Sequence, residues 1–486
     1  MNLKHIIQDL SLEEVIGNID KDIRTIAFDS RKVQKGSLFV AQVGTQVDGH
    51  QFIPQALERG AIAIVCERLP EVLSPDCTYL VVQHAGKALG RIANRFLGEP
   101  SKQLRLVGVT GTNGKTTTAT LLYQLFRKLG YKVGLLSTIE NRINDQVLST
   151  NLTTPDAIKL NECLREMVEE GCAYAFMEVS SHAVDQGRSS GLHFAGGIFS
   201  NLSHDHLDYH GSFKAYLEAK KQFFDELPKG AFALTNIDDR RGKVMVQNTR
   251  AEILTYSLRR LADYRVRIVE NALTGLHLNL DGIDFYSHLI GEFNAYNLLA
   301  VYAAGVQLGQ EKMEVLSALS ELRAVPGRFE QVMAPQHRII GIVDYSHTPD
   351  ALEKVLQTIH HLREGQGRIL TVVGCGGDRD KTKRPKMATI AARMSDVAIL
   401  TSDNPRTEDP MTIIREMAEG LPKELEQKSM QQVDRKQAIR LASQLAQAGD
   451  IILVAGKGHE NYQEINGVKH PFDDKEILKE ELMHKL

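Results

Sequence analysis

The sequence predicts an α/β protein of three domains built largely on parallel sheets, and three observations carry that expectation. Strand-like and helical runs alternate along the chain, a glycine turn bearing lysine and threonine joins one strand to its helix, and 486 residues exceed what one hydrophobic core holds. Usual domain sizes divide this length into about three units. The expected boundaries are 1–100, 101–328 and 329–486.

In the first unit, β-rich runs at 37–41, 61–65 and 80–82 alternate with helical stretches at 52–59 and 85–97. The Gly- and Pro-bearing segment 98–101 then makes a joint. The second unit opens with a strand at 104–110, a glycine turn, a helix at 116–129 stopped by Gly130, and a strand at 132–137. Further apolar runs at 175–179, 197–200 and 231–235 argue for a parallel sheet covered on both faces. After a second joint at 325–329, four runs at 339–344, 368–373, 398–401 and 451–455 predict a Rossmann-like third domain.

Hydrophobic content of 42% and charged content of 24% are those of an ordinary globular chain. A formal charge of -3 gives no electrostatic drive toward nucleic acid or a membrane surface. No apolar run approaches the roughly 20 residues that cross a bilayer. The expected state is a cytoplasmic monomer acting on small molecules. Cys66, Cys77, Cys163, Cys172 and Cys375 are odd in number and lack metal spacing, which predicts free thiols in a reducing compartment.

The turn GTNGKTT (111–117) reads as a phosphate cradle. Gly111 and Gly114 permit a tight turn whose N–H groups face an anion, Lys115 supplies positive charge, and Thr116 offers a hydroxyl to Mg2+. Thr112, Asn113 and Thr117 complete the loop. It is shorter than the strict P-loop pattern, with Val109 where that pattern has glycine. MEVSSH (177–182) ends an apolar strand with Glu178, the place for a metal-directed acid in a phosphate-loop fold. SNLSHDHLDYHG (200–211) gathers three histidines and two aspartates; beside a phosphate loop and without thiolates it favours a hard cation over zinc. His206 is the candidate ligand there, with His204 and His210 hydrogen-bonded or exposed. Lys220 and Lys221 read, as residues, as a solvated helix face.

In the third unit, GCGGDR (374–379), SDNPR (402–406) and AGKGHE (455–460) follow three strand-like runs, where open α/β sheets bind ligands. Arg379 and Arg406 are planar forks suited to carboxylates, and Asp403 and Glu460 can receive ammonium groups. An amino acid with two of each would use all four.

Together with AK (219–220) and FNAYN (293–297), these motifs resemble the Mur ligases of peptidoglycan synthesis across all three units. The resemblance implies an ATP-dependent amide ligase that activates a carboxylate as an acyl phosphate for displacement by an amine. It also implies Mg2+ held by Thr116, Glu178, His206 and Lys220, with Lys220 N-carboxylated; Lys115, Lys220 and His206 would be catalytic. Asn294 and Asn297 would lie near adenine, and Arg328 and Asp344 near the nucleotide. FDSR (28–31) and GTQVDG (44–49) resemble the UDP-binding part of the family member that adds the third stem-peptide residue, with Ser30 on the substrate. Asn151, Thr153, Thr154, Ser180, Gln186 and Arg188 would hold UDP-MurNAc-L-Ala-D-Glu. Asp-Asn-Pro-Arg implies meso-2,6-diaminopimelate as the amine, bound by Arg379, Asp403, Asn404, Pro405, Arg406, Gly456 and Glu460. The alternatives are a lysine-adding member, a folylpolyglutamate synthetase, which needs no such first domain, and a nucleotide-binding scaffold without chemistry.

Overall fold

Strands that are apolar on both sides need cover on both, and the central sheet has it. Arg105–Thr110 lies in its middle, paired in parallel with Tyr174–Glu178 on one side and Phe194–Phe199 on the other. Val133–Leu136 extends the sheet beyond the first, and Phe232–Asn236 and Glu252–Ser257 beyond the second. Helices Lys115–Lys128 and Glu292–Gln307 close one face around Leu121, Phe126, Phe176 and Leu298. Ala157–Glu169 and Phe213–Asp225 close the other around Leu164, Met177 and Phe224. Each such aromatic, fully buried, contributes about 1.5–3 kcal/mol. This computed structural model describes residues 1–44, 47–148, 154–203, 205, 207–334, 336–363 and 367–485.

The expectation of a parallel central sheet is corrected at both edges. Asn141–Ile143 and Gln146–Leu148 form an antiparallel hairpin at one edge, and Tyr264–Ala272, Gly275–Leu280 and Ile283–Ser287 an antiparallel meander at the other. Gly275–Leu280 alternates buried and half-buried residues, the pattern of a sheet covered on one face only. The turn between the last two strands is Asp281-Gly282, with φ of 51° and 88°, a two-residue hairpin signal present in the sequence.

The third sheet runs in the order Glu330–Ala334, Ile339–Asp344, Ile451–Ala455, Ile369–Cys375, Val397–Ser402 and Ser429–Gln432, with only the first strand antiparallel. The four expected strands are its interior, and the two unforeseen ones are its edges. The N-terminal sheet, Leu12–Ile16, Thr78–Val82, Ala61–Cys66, Ser37–Val40 and Thr25–Ala27 in spatial order, docks on the central unit through the helix Ala85–Phe96. Gly90 permits this approach, because a Cβ there would stand 2.6 Å from the carbonyls of Gly187 and Ser190. A buried hydrogen bond from Asn94 to Asn161, 2.9 Å, fixes the contact. All five cysteines are buried and free, and among the described residues no helix is long and apolar enough to cross a membrane.

One ion-pair cluster braces the third domain. Arg384, with no exposed side-chain surface, donates to both Glu408 oxygens at 2.9 and 3.0 Å, to Glu416 and to the Gly376 carbonyl. The Arg384 hydrogen bonds hold the Glu408 carboxyl down at about 2, below its ordinary 4.5. Since the folded-state value is the lower one, this contribution is complete above the ordinary value and is lost as pH falls through about 2. Glu408→Gln should therefore lower the melting temperature at neutral pH, and the gap to wild type should close as pH is lowered toward about 2. A gap that is constant with pH would contradict this.

Candidate active site

The strand Arg105–Thr110 runs straight into the glycine turn and the helix Lys115–Lys128. Gly111 and Gly114 have φ of 149° and 87°, and a side chain at Gly111 would meet the Ser200 hydroxyl at 2.0 Å. The loop is held from across the sheet: Thr112 N donates to Asn201 O at 2.8 Å, and Ser200 Oγ to Asn113 O at 2.6 Å. Lys115 curls back so that its Nζ donates to Gly111 O at 3.0 Å and Thr112 O at 2.8 Å. Burial lowers its pKa, opposed by Glu178 and Asp205.

Thr116 and Glu178 meet as expected of adjacent strand ends. Thr116 Oγ1 donates to Glu178 Oε2 at 3.0 Å and accepts from Arg328 Nη2 at 3.0 Å, while Glu178 Oε1 accepts from Thr138 N at 2.6 Å. Glu178 is buried, so its carboxylate is committed to donors or a cation.

The reading of Lys220 and Lys221 as a solvated face is corrected, since both are buried. Lys221 pairs with Asp225 at 2.6 Å. Lys220, 1% exposed, donates to Gly111 O at 2.8 Å and lies 4.8 Å from the Tyr216 ring centre. Burial, then repulsion from Lys115, pushes its pKa well below the ordinary 10.5, with Asp205 opposing. Helix Phe213–Asp225 turns this side inward because Tyr216, Phe223 and Phe224 pack under the sheet.

Arg328 lies over the Tyr345 ring, 4.5 Å from its centre. Asp344 accepts from Phe329 N at 2.7 Å, and burial raises its pKa. Asn297 Nδ2 donates to Asn294 Oδ1 at 3.0 Å, and Asn297 Oδ1 accepts from Thr118 at 3.3 Å. Among the substrate candidates, Thr154 Oγ1 donates to Glu178 O at 3.0 Å and Thr154 O accepts from Arg188 at 2.7 Å. Arg188 also donates to Gln186 Oε1 at 2.9 Å, and Ser180 caps the helix Ser181–Asp185. His210 accepts or donates at Ser181 Oγ, 3.0 Å away, consistent with a hydrogen-bonded histidine.

The third domain places its three loops together. Asp403 and Glu460 face Lys457, at 3.9 and 3.2 Å, and Asn404 bridges Glu460 at 2.7 Å and Lys457 at 2.9 Å. Burial works against the Asp403 carboxylate, but Lys457 and Arg435 outweigh it and lower its pKa; burial and Asp403 raise that of Glu460. Beneath them Arg435, paired with Asp474 at 2.7 Å in a fully buried bridge, donates to Ala455 O at 3.0 Å and so ties one strand end to the C-terminal helix. Arg406 Nη1 donates to Gly377 O at 2.7 Å.

One cleft of about 1390 Å3 joins these parts. Thr112 to Thr117, Glu178, Lys220, Thr154, Ser180, Arg188, Asn294, Asn297, Arg328, Asp344, Arg379, Asp403, Asn404, Arg406, Gly456 and Glu460 all line it. Ser30, Gln186 and Pro405 stand outside the lining; Ser30 is buried in the first unit, bonded to Gln55 at 2.6 Å. Asn151, Thr153, His204 and His206 lie outside the described residues. Three residues at the site escaped sequence reasoning: Tyr345 in the lining, and Lys457 and Asp350 beside it. A lysine between two glycines after a buried strand signals the second; Asp350 shows itself only through docking, accepting from Asn113 at 2.9 Å and Ser203 at 2.8 Å across the domain boundary.

Profiles of known families match three consecutive segments: the Mur ligase family catalytic domain at 22–97, the Mur ligase middle domain at 109–305, and the Mur ligase glutamate ligase domain at 327–458. The chain belongs to the Mur ligase family. Among curated Mur ligases, the UDP-N-acetylmuramoyl-L-alanyl-D-glutamate–2,6-diaminopimelate ligase of Cytophaga hutchinsonii is 57% identical over 481 residues, 99% of each chain. A solved structure of a ligase bearing that same name is 34% identical, covers 99% of each chain and superposes with a TM-score of 0.70. A Mycobacterium tuberculosis folylpolyglutamate synthase complexed with ADP shares the fold at 16% identity, with a TM-score of 0.64, and covers 77% of this chain and 92% of its own.

The Asp350 bridge has a measurable consequence for this Mur ligase. Asp350→Ala removes two hydrogen bonds between the third domain and the central one, from Asn113 of the phosphate loop and from Ser203, so small-angle scattering should show a larger radius of gyration while the melting profile retains a cooperative transition. An unchanged radius would mean that the bridge does not set the domain arrangement.

Proposed function

We propose that the chain is an ATP-dependent, ADP-forming amide ligase that joins meso-2,6-diaminopimelate to the D-glutamate of UDP-MurNAc-L-Ala-D-Glu, in cytoplasmic peptidoglycan precursor synthesis. The observation that carries this reading is one cleft in which a phosphate loop bearing Lys115, with the buried Lys220 beside it, faces a pocket holding two arginines and two carboxylates. The identity of the relatives named for this reaction supports it over their full length. Units 1–100, 101–328 and 329–486 would bind the UDP sugar, ATP and the amino acid, and the enzyme would act as a monomer.

In this reading the D-glutamate carboxylate oxygen bonds to the γ-phosphorus of ATP as the bond to ADP breaks. The amine nitrogen then bonds to the acyl carbon, phosphate leaves with the shared oxygen, and the nitrogen sheds its extra proton. Lys115 screens the approach of carboxylate to triphosphate, and positioning supplies much of the rest. Arg328 and Asp344, with Asn294 and Asn297, would orient the nucleotide. Thr154, Ser180 and Arg188 would hold the dipeptide, while Arg379 and Arg406 take carboxylates and Asp403 and Glu460 an ammonium. Ser30 and Gln186, outside the cleft lining, would act on the sugar end or through Arg188. Closure by the third domain keeps water from the acyl phosphate.

Thr116 and Glu178 would hold Mg2+, with His206 and a carboxylated Lys220. Their hard oxygen donors, 3.0 Å apart, fit that ion; among the described residues no three His, Cys, Asp or Glu side chains are grouped for a metal, and Mg2+ commonly completes its shell with phosphate and water. When bound it neutralises phosphate oxygens. Lys220 suits carboxylation because burial favours its neutral amine, the form that adds CO2 with loss of a proton.

Phosphate release measured with the UDP-linked dipeptide and a panel of amino acids tests the proposal. Release should depend on diaminopimelate; dependence on another amine, or on a folate acceptor, would overturn it. Lys220→Ala should abolish turnover and regain part of it with short-chain carboxylates, which replace a carbamate but not an ammonium. Arg406→Ala should raise the KM for diaminopimelate about tenfold or more while that for ATP holds, as expected for loss of a charge-assisted contact.

A further inference from the structure

The third domain carries a hairpin, Tyr462–Ile465 with Val468–Pro471, that hydrophobic burial does not explain. Its second strand is exposed throughout and its first is half-exposed. Its Asn466-Gly467 turn, with φ of 49° and 77°, makes the hairpin locally, but an isolated two-stranded hairpin is marginal in water. What fixes it is a set of polar bonds to the segment 402–406.

Gln463 Nε2 donates to Asp403 O at 2.7 Å, and Glu464 N donates to Asn404 Oδ1 at 2.9 Å. Arg406 N donates to Glu464 O at 3.0 Å and Asn466 N to Arg406 O at 2.7 Å, an isolated parallel bridge. These last two bonds hold Arg406 at φ 51°, a left-handed conformation that costs a residue with a Cβ and needs outside support. The side chains then meet: Glu464 Oε2 lies 3.6 Å from Arg406 Nε, while Arg406 Nη1 is anchored on Gly377 O. The guanidinium is thus held at two of its nitrogens on the wall of the cleft.

We propose that this hairpin is a specificity element of the amino-acid pocket and that Glu464 is a positioning residue, aiming Arg406 at the distal carboxylate of the amino-acid substrate. The inference rests on the ligase reading above. A flexible arginine would lose rotamer freedom on binding, and Glu464 takes that loss in the folded protein before the substrate arrives. The carboxylate also keeps the isolated guanidinium compensated when the pocket is empty.

A double-mutant cycle with Arg406 tests the assignment. Glu464→Ala should raise the KM for diaminopimelate about fivefold, the scale of a partly exposed ion pair, with kcat and the KM for ATP within about twofold. Glu464→Gln, which keeps an acceptor but not the charge, should give a smaller rise at an unchanged melting temperature. In an Arg406→Ala background Glu464→Ala should add almost nothing, because its effect passes through that guanidinium. Additive losses, a fall in the diaminopimelate KM, or a parallel rise in the KM for ATP would each overturn the role of Glu464. A wild-type enzyme that ignores diaminopimelate would instead remove the ligase reading, and this inference with it.

Discussion

Two lysines, Lys220 buried and Lys115 half-buried, donate to one carbonyl oxygen, Gly111 O, and the rest of the site is arranged around that crowding. Burial is the larger cost to both lysines and nearby like charge adds to it, Arg328 for Lys115 and Lys115 for Lys220, so both are shifted toward the neutral amine. Glu178 and Asp205 offset part of the charge for Lys115, and Asp205 for Lys220. What remains is a pocket whose charge is best satisfied by an anion, and the loop that holds it needs glycine at Gly111 because Ser200 occupies the space of a side chain. In the proposed reading a triphosphate would meet that demand at Lys115, and conversion of Lys220 to a carbamate would reverse the sign of the second lysine where metal ions would gather.

The third domain answers the same problem at a different place. Its strand ends set Asp403 and Glu460 around Lys457, so an internal cation already balances part of the charge that an incoming ammonium would meet in the proposed reading. Arg435 and Asp474 fix the strand end below, and Arg384 fixes the loop that carries Arg379 from the side. Asp350 joins this domain to the phosphate loop and to Ser203, which in the proposed reading would link amino-acid binding to the site where the carboxylate is activated.

Local signals were legible and long-range ones were not. The phosphate loop follows from contiguous residues whose strand, turn and helix need no partner to be recognised, and Glu178 follows from its position at a strand end. The strands toward the sheet edges escaped because Gly275–Leu280 and Ser429–Gln432 are only partly buried, leaving no continuous apolar run. Lys220 reads as solvated from its neighbours alone; its burial comes from packing against Gly111, more than a hundred positions away. Resemblance to the family pointed to Lys220 as a carboxylated metal ligand, where the residues themselves did not. Asp350, on a helix, and Glu464, on a hairpin strand, depend on the docking of one segment on another, for which one sequence holds no signal.

The central claim is that this crowded, anion-seeking pocket brings a substrate carboxylate onto phosphorus. Labelling the D-glutamate carboxylate of the UDP-linked dipeptide with oxygen-18 and analysing the released phosphate by mass spectrometry tests it most directly. An acyl phosphate passes one labelled oxygen to each phosphate released; unlabelled phosphate accompanying a new amide bond would contradict the account.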